Sequence, residues 1–351
     1  MARAEVDTKM QQAIRMTAPG TALRTALDMI IAGNLGALIC IGDTDKVLAS
    51  GNDGFPLNIS FTSHRLFELS KMDGAIVVDS DVANILRANF HLNPDPSLPT
   101  SETGMRHKAA SRMSMQTDAL VISVSERRSV VNLYIAGKSF QLRSAAQLIN
   151  EANQMLIALQ TGRQSLDSAL SRLSRLEFDN YVTLEDVTSV FARFQTLISI
   201  GDVFADVLEE MGASGHVLKI QLRELTHGID ELFTLTIRDY AYDSSQENAQ
   251  EIREELSVLS SKDITSPEKI AEILGYEDLN EMSVMMPLGL RTLSRVSVVN
   301  NEIADRIVEE YGSLADLMLN LSDELDTLGS LGVSKPAILV DSLLRMWGKN
   351  K

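Results

Sequence analysis

Four short apolar runs alternate with helix-like segments in the first 145 residues, and this alternation restricts the fold more than any other feature of the chain. The runs have the length and composition of buried strands and lie at Ala37–Ile41, Ala75–Val78, Leu120–Val124 and Val130–Ile135. Patterns typical of helices lie at Ala22–Ala32, His64–Lys71 and Ala109–Gln116. Because apolar strands must be covered on their faces, we expect an α/β domain with a mixed sheet flanked by helices.

The hydrophobic period changes at Leu148. Apolar residues then recur at spacings of four and three as far as Leu176, which predicts a long helix packed along another helix. Thr183 and Asp186 have the spacing of a capping box with a shortened acid, so a second helix is expected to begin there. We find no catalytic motif in this region and interpret residues 146–285 as an all-α linker or spine.

The chain carries a net charge of −16 and has a pI near 4.8. Nonspecific binding to nucleic acid depends on lysine and arginine side chains that displace counterions, so this acidic balance argues against it. Any contact with DNA must therefore be local.

Cys40 is the only cysteine, and no apolar run approaches the roughly 20 residues that cross a bilayer. The opening segment MARAEVDTKM also lacks the apolar core of a secretory signal. Within GALICIG, a lone cysteine is expected to be a small buried hydrophobic residue. These features predict no membrane association and a cytoplasmic location, with association with the nucleoid as a further option.

The candidate catalytic and binding motifs are concentrated between Lys71 and Arg112. Asp73-Gly74-Ala75 places a carboxylate beside two very small residues at the start of an apolar strand, which suits a metal-held phosphate or ribose close to backbone. Further along, a proline-rich loop leads through Gly104 into Arg106-His107-Lys108 and then a helix-forming segment. Cations and backbone N–H groups at a helix N-terminus form an anion site.

These two motifs, with the intervening NPDPSLPTSETG, resemble the DAC domain of bacterial diadenylate cyclases, whose signatures are DGA and a G-T-R-H-R loop. The segments Ala18–Gly42 and Gln116–Leu142 extend the match on both sides. The whole layout resembles the DNA integrity scanning family of these enzymes over essentially the full length. The resemblance implies a DAC domain at residues 1–145, followed by the helical spine at 146–285 and a helix-hairpin-helix domain at 286–351.

The resemblance also implies an activity, the condensation of two ATP molecules into cyclic di-AMP with release of two diphosphates. Asp73, Arg106 and His107 are then the catalytic residues, and Asp73 holds Mg²⁺ or Mn²⁺ and helps to deprotonate a ribose 3′-hydroxyl. Leu92 would pack on the adenine. The implied nucleotide-binding residues are Gly74, Ala75, Leu92, Met105, Arg106, His107, Lys108, Ala109 and Ser125.

Three positions depart from the family pattern. Met105 replaces a threonine and removes a hydroxyl donor, while Lys108 replaces an arginine and keeps the charge without the planar two-pronged donor. Ser111 stands where a glutamate is common. These departures leave open a second hypothesis, a DNA-structure-binding scaffold whose nucleotide site is weakly active or decayed, whereas the intact Asp73 and Arg106 favour the enzyme.

The product contains two reciprocal 3′,5′ bonds, and one set of catalytic residues supplies only half of the required groups. Two protomers that face each other, each with one ATP, would supply both halves. The resemblance implies a homo-octamer built from four such pairs. Branched or damaged DNA, bound by the C-terminal domain, would then regulate synthesis.

The segments that begin at Leu293 and Leu321 resemble tandem helix-hairpin-helix motifs. In such motifs a glycine-bearing hairpin presents backbone N–H groups to DNA phosphates, so binding ignores base sequence. Ser330, Gly332 and Lys335 are the candidate DNA-binding residues, although Ser330 stands where a second glycine is expected. The alternative is a helical cap that serves assembly.

Overall fold

The computed structural model describes residues 3–321 and 325–348 and divides into two compact units. The first comprises Met1–Gln154 and Ala205–Ile220, and the second comprises Met155–Phe204 and Gln221–Lys351. Neither unit is continuous in the chain, because three helices contribute residues to both. The predicted boundaries at residues 145 and 285 stay predictions.

The first unit is built on a mixed sheet flanked by helices, as the sequence predicted, and this sheet has eight strands. Its strands are β1 (Ala37–Ile41), β2 (Gly51–Asn52), β3 (Phe55–Ser60), β4 (Ala75–Val78), β5 (Asn84–Leu92), β6 (Leu120–Ser125), β7 (Val130–Ile135) and β8 (Lys138–Leu142). They are ordered β2-β5-β4-β1-β6-β7-β8, and β3 also pairs with β5. Only β1 and β4 run parallel to each other among these pairs.

Helices cover both faces of this sheet: α1 (Arg3–Met16), α2 (Ala22–Ala32), α3 (Thr44–Ala49), α4 (Ser63–Leu69) and α5 (Met105–Gln116). Strand β1 is buried on both sides, because Ile39 packs with the α2 and α4 side chains and Cys40 packs with Met113 of α5. Burial raises the pKa of the Cys40 thiol to about 12, so the prediction of a buried, unreactive cysteine is confirmed.

Sequence patterns missed four strands and misplaced the start of one helix. Strand β5 was not predicted from the sequence; its register against β4 is interrupted by irregularities, and Asn89 has φ of 51°. These interruptions remove the regular alternation from which a strand is predicted. Helix α5 begins at Met105 rather than Ala109, with Gly104 as its N-cap at φ 109°. The Arg106–Lys108 segment therefore forms the first helical turn.

The remaining helices are α6 (Ala145–Asp179), α7 (Leu184–Met211), α8 (His216–Thr226), α9 (Ile229–Tyr240), α10 (Gln246–Val258), α11 (Pro267–Ile273), α12 (Leu290–Leu293), α13 (Asn301–Tyr311), α14 (Leu314–Asn320), α15 (Leu325–Ser330) and α16 (Pro336–Met346). Helix α6 confirms the predicted long helix, and Leu148, Leu159 and Leu166 of its seam are fully buried. The capping box is also confirmed, since the backbone N–H of Asp186 donates to the Thr183 hydroxyl and that of Thr183 donates to the Asp186 carboxylate.

The second unit has two apolar centres. Phe194 of α7 stacks on Phe233 of α9 at 4.6 Å between ring centroids, and Phe191 meets the same ring edge-on. Helices α12 to α16 enclose a separate core that includes Leu293 and Leu339. The described residues include no helix that is both long enough and apolar enough to cross a membrane.

Candidate active site

The elements that carry the predicted catalytic residues meet at one edge of the sheet. Ile39 of β1 is level with Ile76 of the parallel strand β4, while Ala37 lies opposite Val124 near the end of the antiparallel strand β6. The starts of β1 and β4 and the end of β6 therefore lie together. The first turn of α5 lies near this edge, since its Arg106 side chain approaches the residue that precedes β1.

Asp73 occupies the turn that enters β4, and its side chain is 98% exposed. A hydrogen bond from β5 fixes the backbone of this turn, because the Asn89 side chain donates to the Asp73 carbonyl oxygen at 2.8 Å. Gly74 follows with φ of 88°, and a Cβ there would lie 2.9–3.0 Å from the backbone of β5. Glycine is therefore required at this position, and the backbone is fixed while the carboxylate is presented to solvent.

Arg106 extends from the first turn of α5 toward Asp73, with 3.8 Å between Nη2 and Oδ1. Its guanidinium lies over Gly36, where an added Cβ would come within 2.1 Å of Nη1. A glycine before β1 is therefore what makes room for this side chain. The wide separation in a half-exposed pair leaves both charges able to bind a ligand.

His107 lies one residue further along and points its Nδ1 at two hydroxyl groups. The Tyr134 oxygen is 3.0 Å from Nδ1 and the Ser123 oxygen is 3.2 Å away. Tyr134 is completely buried, and burial together with the nearby Glu102 carboxylate raises the pKa of its phenol well above the usual range. The tyrosine therefore stays protonated at neutral pH and acts as a hydrogen-bonding group.

A cavity of about 590 Å³ joins these groups, a volume typical of small-molecule sites. Its lining carries acids, bases and hydroxyls from three loops and the α5 terminus, namely Asp73, Glu102, Thr103, Gly104, Met105, Arg106, His107, Val124, Ser125, Glu126, Arg127, Arg128 and Asn132. The cavity thus brings together the predicted catalytic residues and two of the other predicted nucleotide-binding residues, Met105 and Ser125.

Five of the predicted binding residues lie outside this lining. Ala75 is fully buried in β4, while Lys108 is exposed on α5. Leu92 and Ala109 are partly buried beside the core on the α5 face of the sheet. Their roles, like that of Gly74 toward a nucleotide, stay predictions.

Sequence reasoning overlooked several residues of the cavity. Arg127 and Arg128 form a basic pair in the β6–β7 turn, and this pair was visible in the sequence as cations between two apolar runs. Asn132 has a weaker signal, a polar residue that interrupts an apolar strand. No sequence pattern marks Glu102 or Gly36. Their roles depend on side chains that are distant in the sequence, Tyr134 near Glu102 and Arg106 over Gly36.

The donor groups suit a cation that is shared with a substrate. In the described ranges 3–321 and 325–348, no three His, Cys, Asp or Glu side chains converge as a metal site. Asp73 presents one unburied carboxylate beside the cavity, and Mg²⁺ commonly takes one or two carboxylates together with substrate phosphates. Asp73 therefore fits the divalent metal that the resemblance implies, with the identity of the ion left open.

The predicted DNA-binding residues lie together in the turn between α15 and α16. Ser330 ends α15, Gly332 has φ of 102°, and Lys335 is the N-cap residue of α16. The turn is closed by a hydrogen bond of 3.1 Å from the Val333 N–H to the Leu328 carbonyl. A helix–turn–helix is present here, and contact with DNA stays a prediction.

Comparisons with known proteins cover nearly the whole chain. Residues 24–139 match the family described as DisA bacterial checkpoint controller nucleotide-binding, and residues 142–283 match the DisA bacterial checkpoint controller linker region. The DNA integrity scanning protein DisA of Acetivibrio thermocellus is 37% identical over 343 residues, which cover 97% of this chain and 95% of that protein. Those of Parafrankia sp. and Streptomyces coelicolor are 36% and 35% identical, with 97% and 98% of this chain covered and 96% and 93% of theirs.

The N-terminal fold and its nucleotide-binding match define the class of protein, a diadenylate cyclase and hence a nucleotidyltransferase. The linker match and the near-complete coverage narrow this class further. The chain belongs to the family of DNA integrity scanning proteins, DisA.

Proposed function

We propose that this diadenylate cyclase condenses two ATP molecules into cyclic di-AMP and two diphosphates. The observation that carries the proposal is the convergence of Asp73, Arg106 and His107 on one cavity within the nucleotide-binding domain. The cavity offers an acid, two nitrogen-based donors and the N-terminus of α5, which together suit a nucleoside triphosphate.

In the proposed reaction, the ribose 3′-oxygen of one ATP attacks the α-phosphorus of the other. A new phosphodiester bond forms, the bond between the α- and β-phosphates breaks, and diphosphate leaves with the electron pair. Asp73 orients the 3′-hydroxyl and accepts its proton, while Arg106 and His107 hold the triphosphate. Bound Mg²⁺ or Mn²⁺ would supply neutralisation of the phosphate charge and would be held by Asp73.

Each ATP must act once as nucleophile and once as electrophile, so one cavity is insufficient. We place two protomers face to face, with each Asp73 directing a 3′-hydroxyl toward the α-phosphate held in the other protomer. Four such pairs form the proposed homo-octamer. The exposure of Asp73 supports this arrangement, because a buried carboxylate could not serve a neighbour's nucleotide.

We further propose that branched or damaged DNA regulates synthesis through the C-terminal domain. The turn that contains Ser330 and Gly332, with Lys335 beside it, would contact DNA phosphates without reading bases. Bound DNA would alter synthesis by shifting how opposed cavities meet.

The first experiment incubates purified protein with ATP and either Mg²⁺ or Mn²⁺ and measures nucleotides by mass spectrometry. We expect cyclic di-AMP with at least one of the two metals. If neither metal yields any cyclic or linear dinucleotide while branched DNA still binds, the scaffold hypothesis replaces the enzyme.

The face-to-face arrangement has its own test. Wild-type protein co-expressed with an excess of Asp73→Asn would form mostly mixed pairs, in which only one 3′-hydroxyl is activated. Such pairs should release the linear dinucleotide with a 5′-triphosphate in place of the cyclic product. If the cyclic product fell only in proportion to the fraction of wild-type protein, with no linear dinucleotide, the two-protomer site would be contradicted.

A further inference from the structure

A groove runs between helices α6 and α7, and the residues that line it all belong to the second unit. Its volume is about 280 Å³. Short side chains leave this space open, because Ser168 and Ala169 of α6 and Ser189 of α7 stand where longer residues would fill the seam between the helices. Neither the proposed cyclase reaction nor the proposed contact with DNA makes use of the groove.

Arg193 of α7 places a positive charge in this groove. Its Nε donates to the Ser165 hydroxyl oxygen at 3.2 Å, and its Nη1 donates to the carbonyl and hydroxyl oxygens of Ser189. In the described ranges 3–321 and 325–348, no carboxylate lies within 4 Å of this guanidinium and Nη2 has no hydrogen-bond partner. A partly buried arginine whose charge is not balanced by an ion pair favours the binding of an anion.

Serine hydroxyls add neutral donors to the groove. The oxygens of Ser165 and Ser189 accept hydrogen bonds from Arg193, so each hydroxyl keeps its own proton to donate. Ser168 also lines the groove and supplies another hydroxyl. Guanidinium and hydroxyl donors that line one small space match the oxygens of a phosphate group.

The acidic side chain of the groove is already engaged by other groups. Among the described residues that line the groove, Asp186 alone carries a carboxylate. Its Oδ1 accepts from Arg172 Nη2 at 3.1 Å, and its Oδ2 accepts from the N–H and the hydroxyl of Thr183 at 3.2 and 2.8 Å. Because two arginines face one aspartate, the groove is locally positive in a chain whose net charge is −16.

We propose that this groove binds a small phosphate-type anion, held by the Arg193 guanidinium and by the hydroxyls of Ser165 and Ser189. Arg172 lies about 10 Å further along α6 than Ser165 and adds a second cation. The volume lies just below the range typical of sites for larger ligands, so inorganic phosphate or diphosphate fits better than a nucleotide. The bound anion contacts α6 and α7 at once and therefore stabilises the folded helix pair. The site is independent of the proposed cyclase reaction.

Equilibrium dialysis of the full-length protein tests the proposal, with ³²P-labelled phosphate in one series and ³²P-labelled diphosphate in another. Arg106→Gln serves as the parent protein and divalent metals are left out, so that anion binding at the sheet edge is weakened. We expect saturable binding of one anion per chain, and the tighter of the two anions identifies the ligand that the groove takes. If neither anion binds saturably below about 10 mM, the proposal is overturned.

Arg193→Gln in the same parent protein should weaken anion binding about 10- to 100-fold, the scale of a hydrogen bond to a charged group. Arg163→Gln is the matched control, because Arg163 also lies on this helix pair but is paired with Asp167 at 3.1 Å and is not part of the groove lining. It removes the same charge and should leave the affinity unchanged. Equal losses in the two variants would mean that the anion responds only to net charge, and the proposal would fail.

Ser168→Glu decides the question if Arg193→Gln does not fold, because Ser168 is exposed and the contacts of Arg193 are kept. The new carboxylate should abolish anion binding, since it repels the anion and offers the arginine a partner. Ser171→Glu adds the same charge to α6 at an exposed position outside the lining and should bind like the parent. Unaltered binding in Ser168→Glu would place the anion elsewhere. If Arg193→Gln weakened binding to branched DNA while no small anion bound the parent, the groove would be a DNA contact and the proposal would be wrong.

Discussion

Two regions of the molecule place arginine beside carboxylates, and they do so in opposite ways. At the sheet edge, Arg106 and Asp73 are 3.8 Å apart, with side chains 41% and 98% exposed. In the helical unit, Arg291 is paired with Glu177, and both are almost completely buried. The Asp239 carboxylate lies in the same buried cluster and accepts hydrogen bonds from three backbone N–H groups, including those of Gly289 and Leu290.

The difference separates charges used for binding from charges used for structure. Exposed partners at a long distance contribute little to stability, so evolution can place them for a ligand. Buried partners lose their hydration, and each depends on the others to remain charged. The Arg291 cluster joins α6, α9 and α12 and is expected to act as a structural connection, whereas the Asp73 edge is expected to act as a site.

Asp73→Asn should have the largest effect of any single change at the exposed edge. It removes the proposed metal ligand and should lower the rate of cyclic di-AMP synthesis by about a thousandfold or more, because several kcal/mol of charge stabilisation are lost. The melting temperature and oligomer size should not change, since the side chain is 98% exposed. Mass spectrometry of the product measures the rate, and size-exclusion chromatography measures the oligomer size. A variant that retained its rate would remove Asp73 from the mechanism.

Arg291→Met, in the buried cluster, should lower the stability of the protein, whereas Asp73→Asn should lower its activity. It leaves the carboxylates of Glu177 and Asp239 without their cation and should reduce the free energy of unfolding by about 3–5 kcal/mol. Urea unfolding followed by the fluorescence of Trp347, the only tryptophan, reports on this unit.

The exposed pair of Arg345 and Asp341 offers the matched control, with side chains 66% and 57% exposed. Arg345→Met should change the free energy of unfolding by only about 0.5 kcal/mol. Equal losses in Arg345→Met and Arg291→Met would show that burial does not distinguish the two kinds of pair.

Gly36→Ala tests the exposed edge without altering any charge. The backbone at Gly36 is not in the left-handed region, so alanine is tolerated there, but its Cβ would collide with the Arg106 guanidinium. We expect kcat/KM for ATP to fall about tenfold as the arginine is displaced. Gly201→Ala is the control, because the nearest atom to its added Cβ is 3.6 Å away. An unchanged rate in Gly36→Ala would mean that Arg106 does not act from this position.

The parts of the structure that could be predicted from the sequence are those with a regular local pattern. Strands such as Ala37–Ile41 and Ala75–Val78 were placed correctly because continuous apolar runs bounded by loops permit little else. The long helix was found from its repeat, and its successor from the capping box at Thr183. Strand β5 was missed because its irregular pairing with β4 erases the alternation of a regular strand.

The site was predicted in part, and for a similar reason. Asp73, Arg106 and His107 lie in short motifs whose spacing carries chemical meaning. Gly36 and Tyr134 contribute through tertiary contacts with side chains that are distant in the sequence, and no local pattern records such contacts. The buried cluster was missed entirely, because Glu177, Asp239 and Arg291 look like ordinary surface residues of amphipathic helices until the helices pack.

A pH dependence of stability is also expected in the buried cluster. Burial, together with repulsion from Glu177, raises the pKa of Asp239 to about 7 from 3.8, against the opposing influence of Arg291 and the backbone N–H groups. Between these values the folded protein holds a proton that the unfolded chain has released. The stabilisation is therefore complete at pH below the unfolded pKa and is lost as the pH rises through about 7.

Asp239→Asn is neutral at every pH and keeps an oxygen that can accept from the N-terminus of α12. Between about pH 5 and about pH 8, the melting temperature of the wild type should fall relative to that of Asp239→Asn by about 5–10 °C. Differential scanning fluorimetry in matched buffers measures this difference. The exposed Asp341→Asn should follow the wild type over the same range. Parallel curves for wild type and Asp239→Asn would mean that Asp239 stays ionised, in which case Arg291 and the three backbone donors outweigh burial and the cluster is as fully charged as the exposed edge.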